Sequence, residues 1–334
     1  MDVLLSLPIV SYFAAPMLTS WSTSLNLLFF YMTWTTLVLS HSPLKIELVG
    51  TLAVRIVFWL VPSLFFLLFD TLVPSLAESI KLYGSASIPR RNAPSLAKQA
   101  LLAILNLAMF TALQAAISVA ATSLLHRPLF KTTTTLPLPW HIIKHIVMLY
   151  TAREVLTYYI HRHILHSRGT MARLHAQYAH PRKSAAPYSL MMYADHPLPL
   201  MLHRLLPVYL PPLIVRPHLL TYFLFTFFTT IEDTLSMSGY SVVPGIIMGG
   251  ITRRTATHYT SGGRGNYGAW GLLDWINGTS VGKDVAEDVR DEAEKHQVKE
   301  RGRKAVGDTG ALVQDGIDSW KKGRKSRRKR SSDA

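Results

Sequence analysis

Residues Thr19 to Ser40 (TSWSTSLNLLFFYMTWTTLVLS) contain no charged side chain. A helix of that length crosses about 30 Å of hydrocarbon. Trp21 and Trp34 suit the two interfaces, where an amphipathic ring has one end apolar and the other wet. Four more apolar stretches follow. Ile46 to Leu68 is interrupted by Arg55 and Pro62, and Leu101 to Leu125 is uncharged and rich in Ala and Leu. Pro197 to Ile214 carries Pro207, Pro211 and Pro212, which suggests a re-entrant or bent hairpin, and Leu219 to Leu235 is the last. Arg55 within a span is costly unless it snorkels or finds a partner; Glu47 is two turns earlier and Asp70 lies beyond the other end. His141 to Tyr159 mixes Lys144, Arg153 and Glu154 with apolar residues, so it reads as an amphipathic helix or a span whose inner half faces protein. The expected fold is all-α: an integral membrane helical bundle with a cytosolic histidine-rich cap.

Composition agrees. Charged residues make up 16% of the chain, against about a quarter in soluble proteins. There is no cysteine, which excludes disulfides, thiolate metal sites and cysteine nucleophiles, so any metal must take nitrogen or oxygen ligands. The 14 histidines are the obvious supply. The net charge of +15 owes much to the tail Lys321 to Arg330. That tail reads as a solvated cytosolic segment touching anionic lipid heads, in preference to a nucleic-acid-binding element. Residues 1–15 lack a basic start, so the first span is expected to serve as its own insertion signal.

Polar breaks fall at residues 82–98, 126–139 and 160–196. Residues 260–282 are glycine-rich with aromatics, and residues 283–305 alternate acids and bases, as in an exposed helix with i,i+4 pairs. Three regions are expected: a membrane-spanning region over 1–139, a histidine-bearing region over 140–282, and a charged helix with a basic tail over 283–334. Basic residues put the loop 160–183, the region 253–264 and the tail on the cytosolic side. The basic loop Lys81 to Lys98 strains that topology unless one segment is re-entrant.

The histidines cluster. His161, His163 and His166 fall within six residues; His175 and His180 follow, then His196 before Pro197, and His258 far downstream. His163 and His166 would be neighbours on a regular helix. His161 and His166 are five apart, as are His175 and His180, and five residues turn side chains about 140° apart. Those pairs converge only across a π-bulge or at a frayed helix end, and such bulges cluster at functional sites. Clustered imidazoles beside membrane spans point to a metal; the competing reading is a basic interfacial loop among lipid head groups. His141 and His145 share one helix face and suit packing.

In order along the chain stand Tyr158-Tyr159-x-His161-Arg162, Leu174-His175, the block ending at His180, His196-Pro197, Ser238-Gly239-Tyr240 with Pro244, Gly265-Asn266-Tyr267-Gly268, and Leu273-Asp274-Trp275-x-x-Gly278-Thr279. Over residues 140–282 this order resembles the fatty acid hydroxylase/sterol desaturase superfamily. The resemblance implies a membrane enzyme with non-haem iron, as a di-iron centre, using O2 and electrons from a cytochrome b-type protein or its reductase. It would hydroxylate or desaturate a fatty acyl chain or sterol, with the endoplasmic reticulum as location and no nucleic-acid partner. It also implies His161, His166, His175, His180, His196 and His258 as ligands, with His163 and Glu154 as possible additions and Glu232 and Asp233 as further nearby carboxylates. Asn266, Tyr267, Asp274 and Thr279 match a structural signature. The chain departs from the family's pattern at Ala179, Met237, Thr255 and Tyr259, where further histidines are usual. Those departures keep open a non-catalytic relative with a degraded site. A transporter or scaffold with no metal is the other alternative.

Overall fold

The computed structural model describes residues 21–180, 185–243 and 245–295; the expectations for the N-terminal 20 residues and for the basic tail lie outside them. Contacts divide the chain into Met1–Gly282 and Lys283–Ala334. In the first unit, the described residues are helical or looped, with isolated β-bridges at Lys81–Tyr240 and Lys131–His218.

The helices are α1 (Trp21–Ser40), α2 (Pro43–Leu72), α3 (Pro74–Ile80), α4 (Ala93–Leu125), α5 (Pro139–Ile160), α6 (Thr170–Tyr178), α7 (Pro197–Val215), α8 (Leu219–Ser236), α9 (Ile246–Thr260) and α10 (Leu272–Ile276). Three of them, α2, α4 and α7, are long and apolar enough to cross a membrane. Their outward residues are apolar, as at Leu72, Leu101 and Ile214, which fits lipid rather than water as surroundings. In the second unit, just before α11 (Val285–Lys295), Lys283 pairs with Asp291 of the helix and Asp284 accepts from the Glu287 amide.

Local chemistry sets the boundaries. Ser42 caps α2 by accepting from the Lys45 amide, and Asn92 caps α4 by accepting from the Ser95 amide. Pro94, within the first turn of α4, is pre-shaped for it. The polar break therefore ends at Asn92 rather than at residue 98. Pro62 does not end α2, because the turn before it, Ile56–Leu60, is π-helical and the α-helix resumes at Val61 with the proline in its first turn. α7 likewise contains a π-helical turn at Met201–Leu205 and passes its prolines as one continuous helix, not a hairpin.

Contacts fix how the helices run. Trp34 near the end of α1 donates to Thr133 O at 2.9 Å, and the α8 start meets Lys131. Glu47 early in α2 meets Ser118 late in α4 and Tyr209 in α7. At the other ends, Phe58 O accepts from Thr234, Asn106 reaches Tyr193 O and Asp195 O, and Asp70 meets Tyr240 and Lys81. So α1, α4 and α7 run one way and α2, α5 and α8 the other. Loops 73–92, 161–196 and 237–282 gather at one end, and loops 41–42, 126–138 and 216–218 at the opposite end. The basic loop after α3 thus shares an end with the histidines without any re-entrant segment, since α5 returns the chain. Arg55 finds its partner inside the bundle: Nη1 donates to Gln114 Oε1 at 3.0 Å, and Gln114 Nε2 donates to Glu47 at 3.2 Å. The guanidinium also lies 4.4 Å from the Phe110 ring centroid.

Candidate metal centre

α5 does not stop at Ile160. It runs into a π-helical turn, His161–Leu165, in which the His166 amide donates to His161 O at 3.0 Å. The wider turn brings residues five apart onto one face, so the His161 and His166 Nε2 atoms lie 3.2 Å apart. His180 sits just past the end of α6 and turns back onto His175, with ring centroids 5.1 Å apart. His258, in the last turn of α9, closes the group at 4.7 Å from His161, 4.8 Å from His166 and 5.1 Å from His180. Ligand-capable nitrogens of His161, His166 and His175, and of His166, His180 and His258, lie within 4.8 Å of one another.

A sixth ring completes the cluster, and it is His203, from the π-helical turn of α7, 4.2 Å from His161 and 5.8 Å from His175. Sequence reasoning passed over it as one residue inside an apolar stretch. His196 stands elsewhere. It caps α7, accepting from the Leu198 amide at 3.3 Å, and its ring packs on Tyr178. His163 is exposed and stacks on Tyr159.

The ring tautomers follow from what surrounds them. His161 Nδ1 meets Tyr267 O at 2.9 Å, and His258 Nδ1 meets Gly265 O at 2.7 Å. A carbonyl only accepts, so both Nδ1 atoms carry the proton and both Nε2 atoms keep a lone pair. His175 Nδ1 meets the Asp195 carboxylate at 2.6 Å, with the same consequence. His175 Nε2, His258 Nε2 and both His180 nitrogens are buried without a hydrogen-bond partner. Buried polar atoms are normally satisfied, so orphaned nitrogens on three clustered rings are the mark of a site that fits a metal. Two nitrogens on one ion with bonds of about 2.0–2.2 Å sit about 3 Å apart, as the His161 and His166 nitrogens do. Burial, with the neighbouring imidazoles, holds His161 well below its usual range and His166 at about 2. Burial also lowers His180, and it lowers His258 to about 4 against the opposing pull of the Gly265 carbonyl. Lowered in this way, His161, His166, His180 and His258 are neutral near pH 7, the form that binds a metal.

Glu154 is not among these rings. It accepts amide protons from Trp270 at 2.8 Å and Leu272 at 3.1 Å, which ties the loop before α10 to α5. Its neighbour Arg153 pairs instead with Glu232 at 2.6 Å and Asp233 at 2.8 Å, and Arg204 reaches Asp233 at 3.0 Å. Asp274 accepts from the Tyr267 and Gly268 amides and from Thr279, while Asn266 bridges Arg254 O and the Val281 backbone. These latches hold the carbonyls that orient His161 and His258. Gly263 has φ +81, and a Cβ there would stand 2.4 Å from His166 Cε1, so only glycine lets the ring in. Beside His161, His203 and His258 lies a cavity of ≈ 50 Å³ whose wall includes Met237, Thr255 and Tyr259. Burial pushes the Tyr259 phenol up to about 12, so it stays protonated. Ala179 is buried at the end of α6.

The fold and site define a class: a helical membrane bundle with an imidazole cage at one end. Residues 146–279 match the family model of the fatty acid hydroxylases. No solved structure matches the chain.

Proposed function

We propose that the protein is a membrane-embedded non-haem iron oxidoreductase that hydroxylates or desaturates a lipid with O2. The observation that carries this is the convergence of neutral, partly orphaned imidazoles at one end of a bundle with an apolar exterior. The family match supports the lipid substrate. The six rings form overlapping groups: the nitrogens of His161, His166 and His175 gather, as do those of His166, His180 and His258, and His203 lies 4.2 Å from His161. Three imidazoles for each of two irons leave positions for water and O2. Iron held there supplies oxygen activation and hydrogen abstraction from an unactivated C–H bond.

The chain's own residues do the rest. Asp195, Tyr267 O and Gly265 O fix three rings with Nε2 inward. The Arg153–Glu232–Asp233–Arg204 network neutralises its charges internally beneath the cage, so it adds no net charge to the site. A lipid chain enters from the bilayer and water is excluded by the buried walls around Tyr158 and Leu165. Electrons come from a cytochrome b-type protein or its reductase, met on the cytosolic side of the endoplasmic reticulum. Iron-loaded protein in nanodiscs with a reductase, microsomal lipids and ¹⁸O2 should give labelled or desaturated lipid, and His258→Ala should give none. Fully loaded protein that forms no product would contradict this reading. That outcome would favour a non-catalytic relative, for which Met237, Thr255 and Tyr259 on the adjoining cavity wall are the observation.

A further inference from the structure

The largest cavity described is not at the histidines. A space of ≈ 190 Å³ opens at the opposite end of the bundle, walled by Pro43, Leu44, Leu129, Phe130 and Leu219, with Glu47 among its lining residues. Its wall is stitched in place. The Lys131 amide donates to Pro217 O at 3.3 Å, the Leu219 amide to Lys131 O at 2.9 Å, and Arg216 to Leu129 O at 3.3 Å and Pro128 O at 3.1 Å. Glu47 is 4% exposed and is held by Ser118 at 2.7 Å, Tyr209 at 3.0 Å and Gln114 at 3.2 Å. All three bonds fall on Oε1 and none on Oε2, and Glu47 is among the residues that line the cavity.

We propose that this cavity binds the hydroxyl end of a neutral long-chain alcohol, which donates its proton to Glu47 Oε2 while the chain lies along the apolar wall. The chemistry on the page selects that class. An alkyl end pressed against a carboxylate oxygen would strip it of water and return no hydrogen bond. A carboxylate would lose its hydration in an apolar pocket whose one acid offers it no counter-charge. An amine would have to pass Lys45, Arg127, Lys131 and Arg216 at this end, where Glu47 is the sole acid among residues 41–52, 118–147 and 206–222, and would then lose its own hydration. An alcohol carries a donor and no charge.

The test uses full-length protein in phosphatidylcholine nanodiscs and a diazirine-bearing decan-1-ol, with labelled peptides located by mass spectrometry. Label is expected in residues 42–47 and 122–132, displaced by decan-1-ol and not by decylamine or decanoate. Glu47→Gln should cut labelling about tenfold or more, since a hydrogen bond to a charged acceptor is lost. Thr122→Trp, at an exposed position on the cavity rim, should block it by bulk without touching Glu47. Helical content by circular dichroism reports folding in each variant. Label displaced equally by decanoate or decylamine, or label unchanged in Thr122→Trp protein that keeps its helical content, overturns the proposal. Because the readout is labelling and not turnover, the result is independent of the proposed oxidation.

Discussion

At the scale of single residues, the cage is made by what holds each ring rather than by the rings alone. Asp195 is buried, meets His175 Nδ1 at 2.6 Å, and also takes the His196 amide at 2.6 Å. Asp195→Asn keeps the shape but weakens the acceptor and invites the wrong ring tautomer, so metal affinity should fall about 10–100-fold. Competition titration with a chelator measures it; an unchanged affinity would mean that His175 is not oriented for a metal. Most of the rings were legible in the sequence because they come in dense short-range groups. His161, His166, His175, His180 and His258 do meet, whereas His196 does not join them and His203 does. Nothing local separates those last two. Which of them faces the cage depends on the π-helical turn at Met201–Leu205, whose extra residue rotates the start of α7, and sequence periodicity does not record it.

At the scale of elements, the five-residue spacing of His161 and His166 requires a π-turn and the helix supplies one, so geometry and sequence agree there. Apolar runs marked where the spans lie but not where they start: α2 begins at Pro43 and α4 at Ala93, where Ser42 and Asn92 cap them. The continuous course of α2 and α7 through their prolines was not legible either, because local π-turns take up the strain. The loop 265–281 is the element that orients His161 and His258, and Glu154 anchors it from α5. Glu154→Ala leaves the Trp270 and Leu272 amides without their acceptor, at a cost of about 1 kcal/mol for each lost hydrogen bond. Amide exchange should accelerate in residues 265–281 and stay unchanged in α4. Equal acceleration in both would show a global loss of structure instead.

At the scale of the whole molecule, the helix directions place three loop groups at the histidine end and three at the other. The absence of cysteine makes this testable without removing any residue. Single cysteines at Ser85, Ser167 and Ser241, all exposed, should react with an impermeant maleimide from one side of sealed vesicles, and cysteines at Ser42 and Thr135 from the other. Mixed labelling within either group would break the arrangement. The orphaned nitrogens make a still more direct claim, that this end of the bundle holds metal. Protein expressed with ample iron and purified in mild detergent is analysed for bound metal, beside His166→Ala. The account predicts two irons per wild-type chain, with nitrogen neighbours at about 2.0–2.2 Å by X-ray absorption, and a loss of at least one iron in a variant that keeps its helical content. Wild-type protein that is folded and yet binds no metal would contradict it.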